Sequence, residues 1–253
     1  MTFAEDTLTD DKFLSGRLRL WQPSRGFRAA TDAVLLAACC PAKAGESVLD
    51  LGCGAGAAAL CLGLRVPGLA LAGLELQADY ADLAVRNAAR NGIAMDVVEG
   101  DLTRMPARLR RDFDHVIANP PWYPAGGTPS PVAGRARALA AHLPLDAWIA
   151  AAARRLRPGG TLTLIAGTDS LPVLLAALAP KLGSAAVLPL APREGRAPPR
   201  LILHAKKGGR APFRLLPPFV LHAGAAHDGD RESYTPAANA VLREAGGLLP
   251  LFG

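Results

Sequence analysis

Long apolar runs are missing from this chain. No stretch of about 18 or more uninterrupted apolar residues occurs, so no membrane-spanning helix is expected. Cysteine is scarce as well. Cys39, Cys40, Cys53 and Cys61 form no CxxC pair and have no histidine at metal-ligand spacing, which argues against both a zinc site and a disulfide framework, and no metal is expected. The opening residues, Met1 to Asp6, lack the basic stretch and apolar core of a secretory leader, so a cytoplasmic location is expected. No internal repeat is present. What remains is a chain of 253 residues, half of them apolar, with 26 glycines and 22 prolines scattered rather than periodic. A disordered chain would carry fewer apolar residues and more charge; this one has enough for the core of a large α/β domain.

Charge is unevenly spread. The formal net charge is +6, yet residues 1–15 hold Glu5, Asp6, Asp10 and Asp11 against Lys12. That polar, acidic stretch reads as a frayed lead-in. The segment 185–214 holds Arg193, Arg196, Arg200, Lys206, Lys207, Arg210 and Arg214 against Glu194 alone. Two readings stand side by side: a footprint for a polyanion, or the solvated face of a strand pair.

The most informative stretch is Asp114 to Trp122, where the apolar run Val116-Ile117-Ala118 ends in Asn119-Pro120-Pro121-Trp122. Each proline fixes its own φ, and Pro121 restricts Pro120, so the turn is stiff. The Asn119 side-chain oxygen and the Pro120 carbonyl accept hydrogen bonds, and Trp122 offers a face for stacking. Two acceptors beside a flat ring suit a planar amino group on a conjugated substrate. The plain alternative is a strand-ending turn with a buried tryptophan.

Earlier in the chain, Ser47 to Gly52 reads as a strand, Gly52-Cys-Gly-Ala-Gly56 as a glycine-rich turn, and Ala57 to Val66 as a helix. Strand, glycine turn and helix in that order are the context a nucleotide-like ligand requires. A second strand ends at Glu75 and a third at Asp101; a fourth, Phe113 to Ala118, delivers Asn119. Polar residues closing successive strands behind a glycine turn predict a shared crevice at one sheet edge. Asp101 has a simpler alternative as the N-cap of the next turn. The segment Pro124 to Leu143 exceeds ordinary loop length and reads as a substrate-facing loop carrying Arg135, Arg137 and His142. Further strands are expected over Thr161 to Ala166, Ala186 to Leu190 and Arg200 to Lys206, with a last helix from Thr235.

Val48-Leu-Asp-Leu-Gly-Cys-Gly-Ala-Gly56, Glu75, Asp101 and Asn119-Pro-Pro-Trp122, in this order, resemble the class I S-adenosylmethionine-dependent methyltransferases. The resemblance covers roughly residues 20–210. It implies an α/β Rossmann-like fold, a seven-stranded sheet parallel except for one strand, with helices on both faces. It also implies S-adenosyl-L-methionine as cofactor, with Gly52, Cys53, Gly54 and Gly56 along its methionine moiety, Glu75 on the ribose, and Asp101 and Leu102 at the adenine. The chain is then one domain over 1–253, with a flexible lead-in (1–19), a loop and helix (20–45), a core (46–210) and a C-terminal extension (211–253). Asn119, Pro120, Pro121 and Trp122 form the catalytic motif of enzymes that methylate amino groups. Gln22-Pro-Ser-Arg-Gly-Phe-Arg-Ala-Ala-Thr-Asp32 is similar to the corresponding stretch of the tRNA-Val adenine-37 N6-methyltransferases, which brings Arg28 and Asp32 toward the cofactor and implies RNA, specifically tRNA, as partner. Arg135, Arg137, His142, Arg200 and Lys206 are then the residues expected to meet it.

Three other readings remain. Guanine-N2 methylation of ribosomal RNA uses a similar exocyclic amine. Glutamine methylation of a release factor uses the same motif, though about 20 residues ahead of the Gln-Pro loop do not make the helical domain such enzymes carry. A methyltransferase fold without chemistry would be expected to show erosion of the glycine turn or of Asn119-Pro120, and neither is eroded.

Overall fold

The computed structural model describes residues 2–121, 143–179, 181–224 and 233–252. Nine strands form one sheet. Its centre is a βαβ succession: β3 (Ser47–Leu51), α2 (Ala57–Arg65), β4 (Ala70–Glu75), α3 (Ala78–Arg90) and β5 (Met95–Glu99). The chain then returns to the other side of β3 with β6 (Phe113–Ala118), and β7 (Leu156–Gly167), β8 (Leu182–Ala191) and β9 (Arg200–Lys207) complete that half. The spatial order is β8-β9-β7-β6-β3-β4-β5. Only β9 runs antiparallel to its neighbours among these seven. The two additional strands, β10 (Arg214–Leu215) and β11 (Phe219–Val220), are two residues long and pair with the outer side of β8. The expected seven-stranded sheet is therefore present and extended.

The strands read as near-continuous apolar runs because both faces of the sheet are covered. One face packs on α1 (Thr31–Cys39), α2 and α6 (Pro236–Glu244), the other on α4 (Leu145–Arg155) and α5 (Leu171–Leu178). Helix α1 has no polar stripe, and all seven residues from Ala33 to Cys39 are buried. All four cysteines are buried and unpaired. Among the described residues no helix is long and apolar enough to cross a membrane.

Two parts of the expected layout are corrected. The acidic start is not a frayed lead-in: β1 (Leu8–Phe13) and β2 (Leu18–Pro23) form an antiparallel hairpin. Its carboxylates are paired, Asp10 with Arg19 and Arg90, and Asp11 with Arg28. Helix α3 supplies a surrogate partner for the free edge of β2. The Asn87 amide accepts from Trp21 N–H at 2.8 Å and donates to Trp21 C=O at 3.0 Å; Asn91 repeats the pattern on Arg19 at 3.0 and 2.8 Å. Two asparagines four apart on a helix thus match two strand residues on one face. The C-terminal extension, in turn, belongs to the core. Phe219, Leu221, Val241, Leu242, Leu248 and Phe252 are all buried in the cluster that holds α1 and α2.

Candidate active site

Strands β3, β4, β5 and β6 are parallel, so their C-terminal ends share one edge. Register places Leu51 opposite both Leu74 and Ala118, so the residues that follow, Gly52 and Asn119, leave the sheet side by side. Glu75 lies opposite Glu99, two residues before Asp101. Between β3 and β6 the strand order reverses, and crevices at such switch points are where open α/β sheets take ligands.

The turn after β3 needs its glycines. Gly52, Gly54 and Gly56 have φ of +67°, +55° and +86°. A Cβ on Gly52 would also lie 2.6 Å from the ring of Trp148, which α4 brings beneath the turn. Gly54 differs, since the nearest atom to its missing Cβ is the Phe27 ring at 3.8 Å, an ordinary van der Waals contact, so its positive φ rather than crowding calls for glycine. Glu75 closes the turn from the side. Its carboxylate accepts from Gly54 N–H at 2.8 Å and Gln77 N–H at 2.9 Å. Burial pushes the Glu75 carboxyl above its ordinary range, against the pull of those N–H groups. The Leu76 N–H also bonds this carboxylate, and its two oxygens together keep accepting capacity for a hydroxyl donor. Asp101 uses Oδ1 to cap the next turn, accepting from Thr103 N–H at 2.8 Å, and its other oxygen has no partner among the described residues. A glycine turn followed by two acids with accepting capacity fits a ligand bearing ribose hydroxyls and an exocyclic amine.

At the end of β6, Pro120 is buried and Asn119 partly exposed. The Asn119 amide makes no hydrogen bond among the described residues. Trp122, Arg135, Arg137 and His142 lie outside the described residues.

The other expected site residues are distributed differently. Cys53 is buried, its sulfur against Gly73 beneath β4, so it meets the crevice through its backbone alone. Leu102 is buried directly after Asp101. The Arg28 guanidinium is held inside the hairpin, donating to Asp11 at 2.5 Å, Thr9 at 2.9 Å and the Pro23 carbonyl at 3.3 Å. Asp32 and Arg200 pair with each other across 168 residues. Arg200 therefore stands beside Gly167, at the end of β7, with its charge already met. Lys206 pairs with Thr161 in the middle of β7, and Thr161 in turn lies opposite His115 near the start of β6. Arg200 is thus engaged by a carboxylate within the protein, and Lys206 lies toward the opposite end of the sheet from Asn119.

Three further residues are tied to this edge, Asp50 and Asn87 with a signal in the sequence and Trp148 without one. Asp50 sits inside the apolar strand Val48 to Leu51 and accepts from Ala59 N–H at 3.3 Å in the first turn of α2; burial pushes its carboxyl up to about 8. Asn87 donates to Ala55 C=O at 3.0 Å, tying the glycine turn to α3 and through it to the hairpin. A polar amide on the apolar face of a helix was the clue. Trp148 contacts Gly52 only through tertiary packing, and nothing in its neighbourhood in the chain announces that.

Sheets with this strand order, a single antiparallel strand and a crevice at the β3–β6 switch define the Rossmann-like methyltransferases of class I, enzymes that use S-adenosylmethionine. Residues 29–184 match the methyltransferase small domain, and the chain belongs to that family. It is similar to a tRNA1(Val) (adenine(37)-N6)-methyltransferase of Shewanella halifaxensis, 34% identical over 185 residues that take in 70% of this chain and 74% of that protein. A release factor glutamine methyltransferase of Deinococcus radiodurans is 34% identical over 139 residues, 52% of this chain and 49% of that one. Among solved structures, a predicted O-methyltransferase from Agrobacterium tumefaciens superposes with a TM-score of 0.68 at 27% identity, covering 85% of this chain and 97% of that one.

Proposed function

We propose that this enzyme transfers a methyl group to the exocyclic N6 of an adenine in tRNA, with Asn119 and Pro120 holding the acceptor. The register that sets Asn119 beside the glycine turn carries this reading, because it puts a pair of hydrogen-bond acceptors next to the cofactor crevice. Gly52, Gly54 and Gly56 would line the methionine end of S-adenosylmethionine, Glu75 would accept from its ribose hydroxyls, and Asp101 with Leu102 would face its adenine. When bound, the cofactor supplies a sulfonium-borne methyl group open to in-line displacement.

The rest is positioning. An adenine amine is conjugated and weakly nucleophilic. The Asn119 Oδ1 and the Pro120 carbonyl would accept its two hydrogens and leave the nitrogen lone pair free to take up the methyl group. Asn119 is neutral and no base, so the surplus proton leaves after transfer. Buried Pro120 keeps the carbonyl in place, because the ring restricts its backbone. The net charge of +6 suits a polyanionic substrate, and similarity to the Shewanella protein over 70% of this chain supports tRNA and adenine N6. An adenine in a single-stranded loop enters such a pocket at less cost than one drawn from a duplex.

The test is radiolabelled methyl transfer to bulk unmodified tRNA, ribosomal RNA and release factor in parallel, with nucleoside analysis. N6-methyladenosine in tRNA is the expected product. Label in N2-methylguanosine or in release-factor glutamine would replace the substrate assigned here.

A further inference from the structure

A cavity of about 260 Å³ opens beside Leu102, where the turn after Asp101 meets the last turn of α4. Arg104 and Arg110 line it from the β5–β6 connection and Arg154 and Arg155 from α4, and among the described residues no carboxylate lines it. Arg104, Arg110 and Arg154 are exposed, and among the described residues Arg104 and Arg154 have no hydrogen-bond or ion-pair partner. Arg110 donates through Nε to Met105 C=O at 2.8 Å and Arg155 to Leu109 C=O at 3.5 Å, so each is aimed but not neutralised. Of the acids nearby in sequence, Asp96 pairs with Arg108 and Asp101 caps its turn, and neither Glu99 nor Asp112 makes an ion pair with the cavity arginines among the described residues. The negative end of the α4 dipole accounts for Arg154 and Arg155 in its last turn. It does not account for Arg104 and Arg110, which come from a different element.

Four guanidinium groups gathered around one concavity repel each other unless an anion joins them. Their planar forks match phosphate oxygens in geometry. In the cluster over 193–214 four of the seven cations are held within the protein, one of them by a carboxylate, while Arg196, Lys206 and Arg210 make no side-chain hydrogen bond or ion pair among the described residues. Arg193 donates to Ala223 C=O, Gly224 C=O and Ser233; Arg200 to Asp32; Lys207 to Leu156 C=O; and Arg214 to Phe252 C=O.

We infer that the Arg104, Arg110, Arg154 and Arg155 cavity is a docking site for the phosphate backbone of the substrate RNA, at the rim of the cofactor crevice. This rests on the proposed function and adds to it a surface that orients the RNA before a base reaches Asn119. Phosphate contacts of this kind fix register without reading sequence.

The experiment measures binding of an unmodified tRNA transcript to the full chain across a salt series. It compares wild type, R104E/R154E and the rival pair R196E/R210E, which changes net charge equally. Melting temperature and S-adenosylmethionine affinity verify folding, and R104A/R154A repeats the test without new carboxylates. The expected result is a loss of affinity on the order of tenfold or more for R104E/R154E, with a salt slope shallower by about 2 because two phosphate contacts are removed. R196E/R210E changes both quantities less. Equal losses in the two pairs, or unchanged affinity and slope in R104E/R154E, overturn the site while leaving the proposed function intact. A wild type that binds ribosomal RNA instead of tRNA overturns the substrate assignment, and the same variants are then scored on that RNA. A wild type that binds neither RNA overturns both.

Discussion

Strand β6 has a polar group at each end, and the two ends do opposite things. At its start, Asp114 accepts from Ser47 N–H at 2.8 Å and from the Ser47 hydroxyl at 2.7 Å, and pairs with Arg157. Beside it, the His115 ring lies 2.6 Å from the Thr161 hydroxyl and 2.9 Å from Glu46. Those groups are satisfied within the protein and hold β3, β6 and β7 in register. At its finish, Asn119 has no partner among the described residues, although it sits next to a turn built to receive a ligand. The satisfied groups hold the strands together, and the one without a partner among the described residues is the group for which the acceptor role is proposed.

Substitutions at the two ends should therefore fail differently. Asn119→Ala should lower kcat for methyl transfer on the order of 10²–10³-fold, as loss of one positioned polar contact does elsewhere. S-adenosylmethionine affinity should stay within about twofold, as read by calorimetry. Equal activity in variant and wild type would remove Asn119 from the mechanism.

Gly52→Ala tests the same edge through its backbone. The new Cβ meets the Trp148 ring at 2.6 Å, and φ of +67° is strained for alanine. Together these should cost about 2–4 kcal/mol in chemical denaturation and abolish the stabilisation that added cofactor confers. Gly52→Ala with Trp148→Phe should recover part of the loss; no recovery would show that backbone strain alone is responsible.

The smallest effect belongs to the opposite end. Asp114→Asn should cost about 1–3 kcal/mol of stability and leave kcat within about twofold. Its pH dependence has a definite sign. Burial pushes the Asp114 carboxyl up, but Ser47 and Arg157 outweigh it and hold the group at about 2. The unfolded chain titrates near 4, so the contribution is present above about pH 4 and fades as pH falls toward 2. Wild type should show that acid limb in denaturation profiles, and Asp114→Asn should flatten it. A large fall in kcat for Asp114→Asn would break the contrast between the two ends.

The arginines show where reading the chain alone stops. Seven cations over 193–214 stand out because they are close in sequence, yet four of them are held by internal partners as distant as Asp32 and Phe252. The cavity arginines are split between residues 104–110 and 154–155, so no window along the chain collects them. The hairpin was missed for a related reason. Thr9, Asp10, Asp11 and Lys12 show no clean alternation, and the partners that order them, Arg90 and Asn87, lie on a helix far downstream.

By itself the sequence determined whatever depends on neighbours in the chain. Glycines at 52, 54 and 56, apolar runs of strand length, acids at 75 and 101 and the stiff Asn119-Pro120-Pro121 turn all express local backbone and patterning rules, and they carried the class of fold and the shared crevice edge. Only the tertiary structure decided which polar groups remain unpaired. It set Asp32 on Arg200, Asn87 under the glycine turn, Trp148 against Gly52 and four arginines around one cavity. Pairing depends on distances in space, which strand order and register establish only once the sheet has formed.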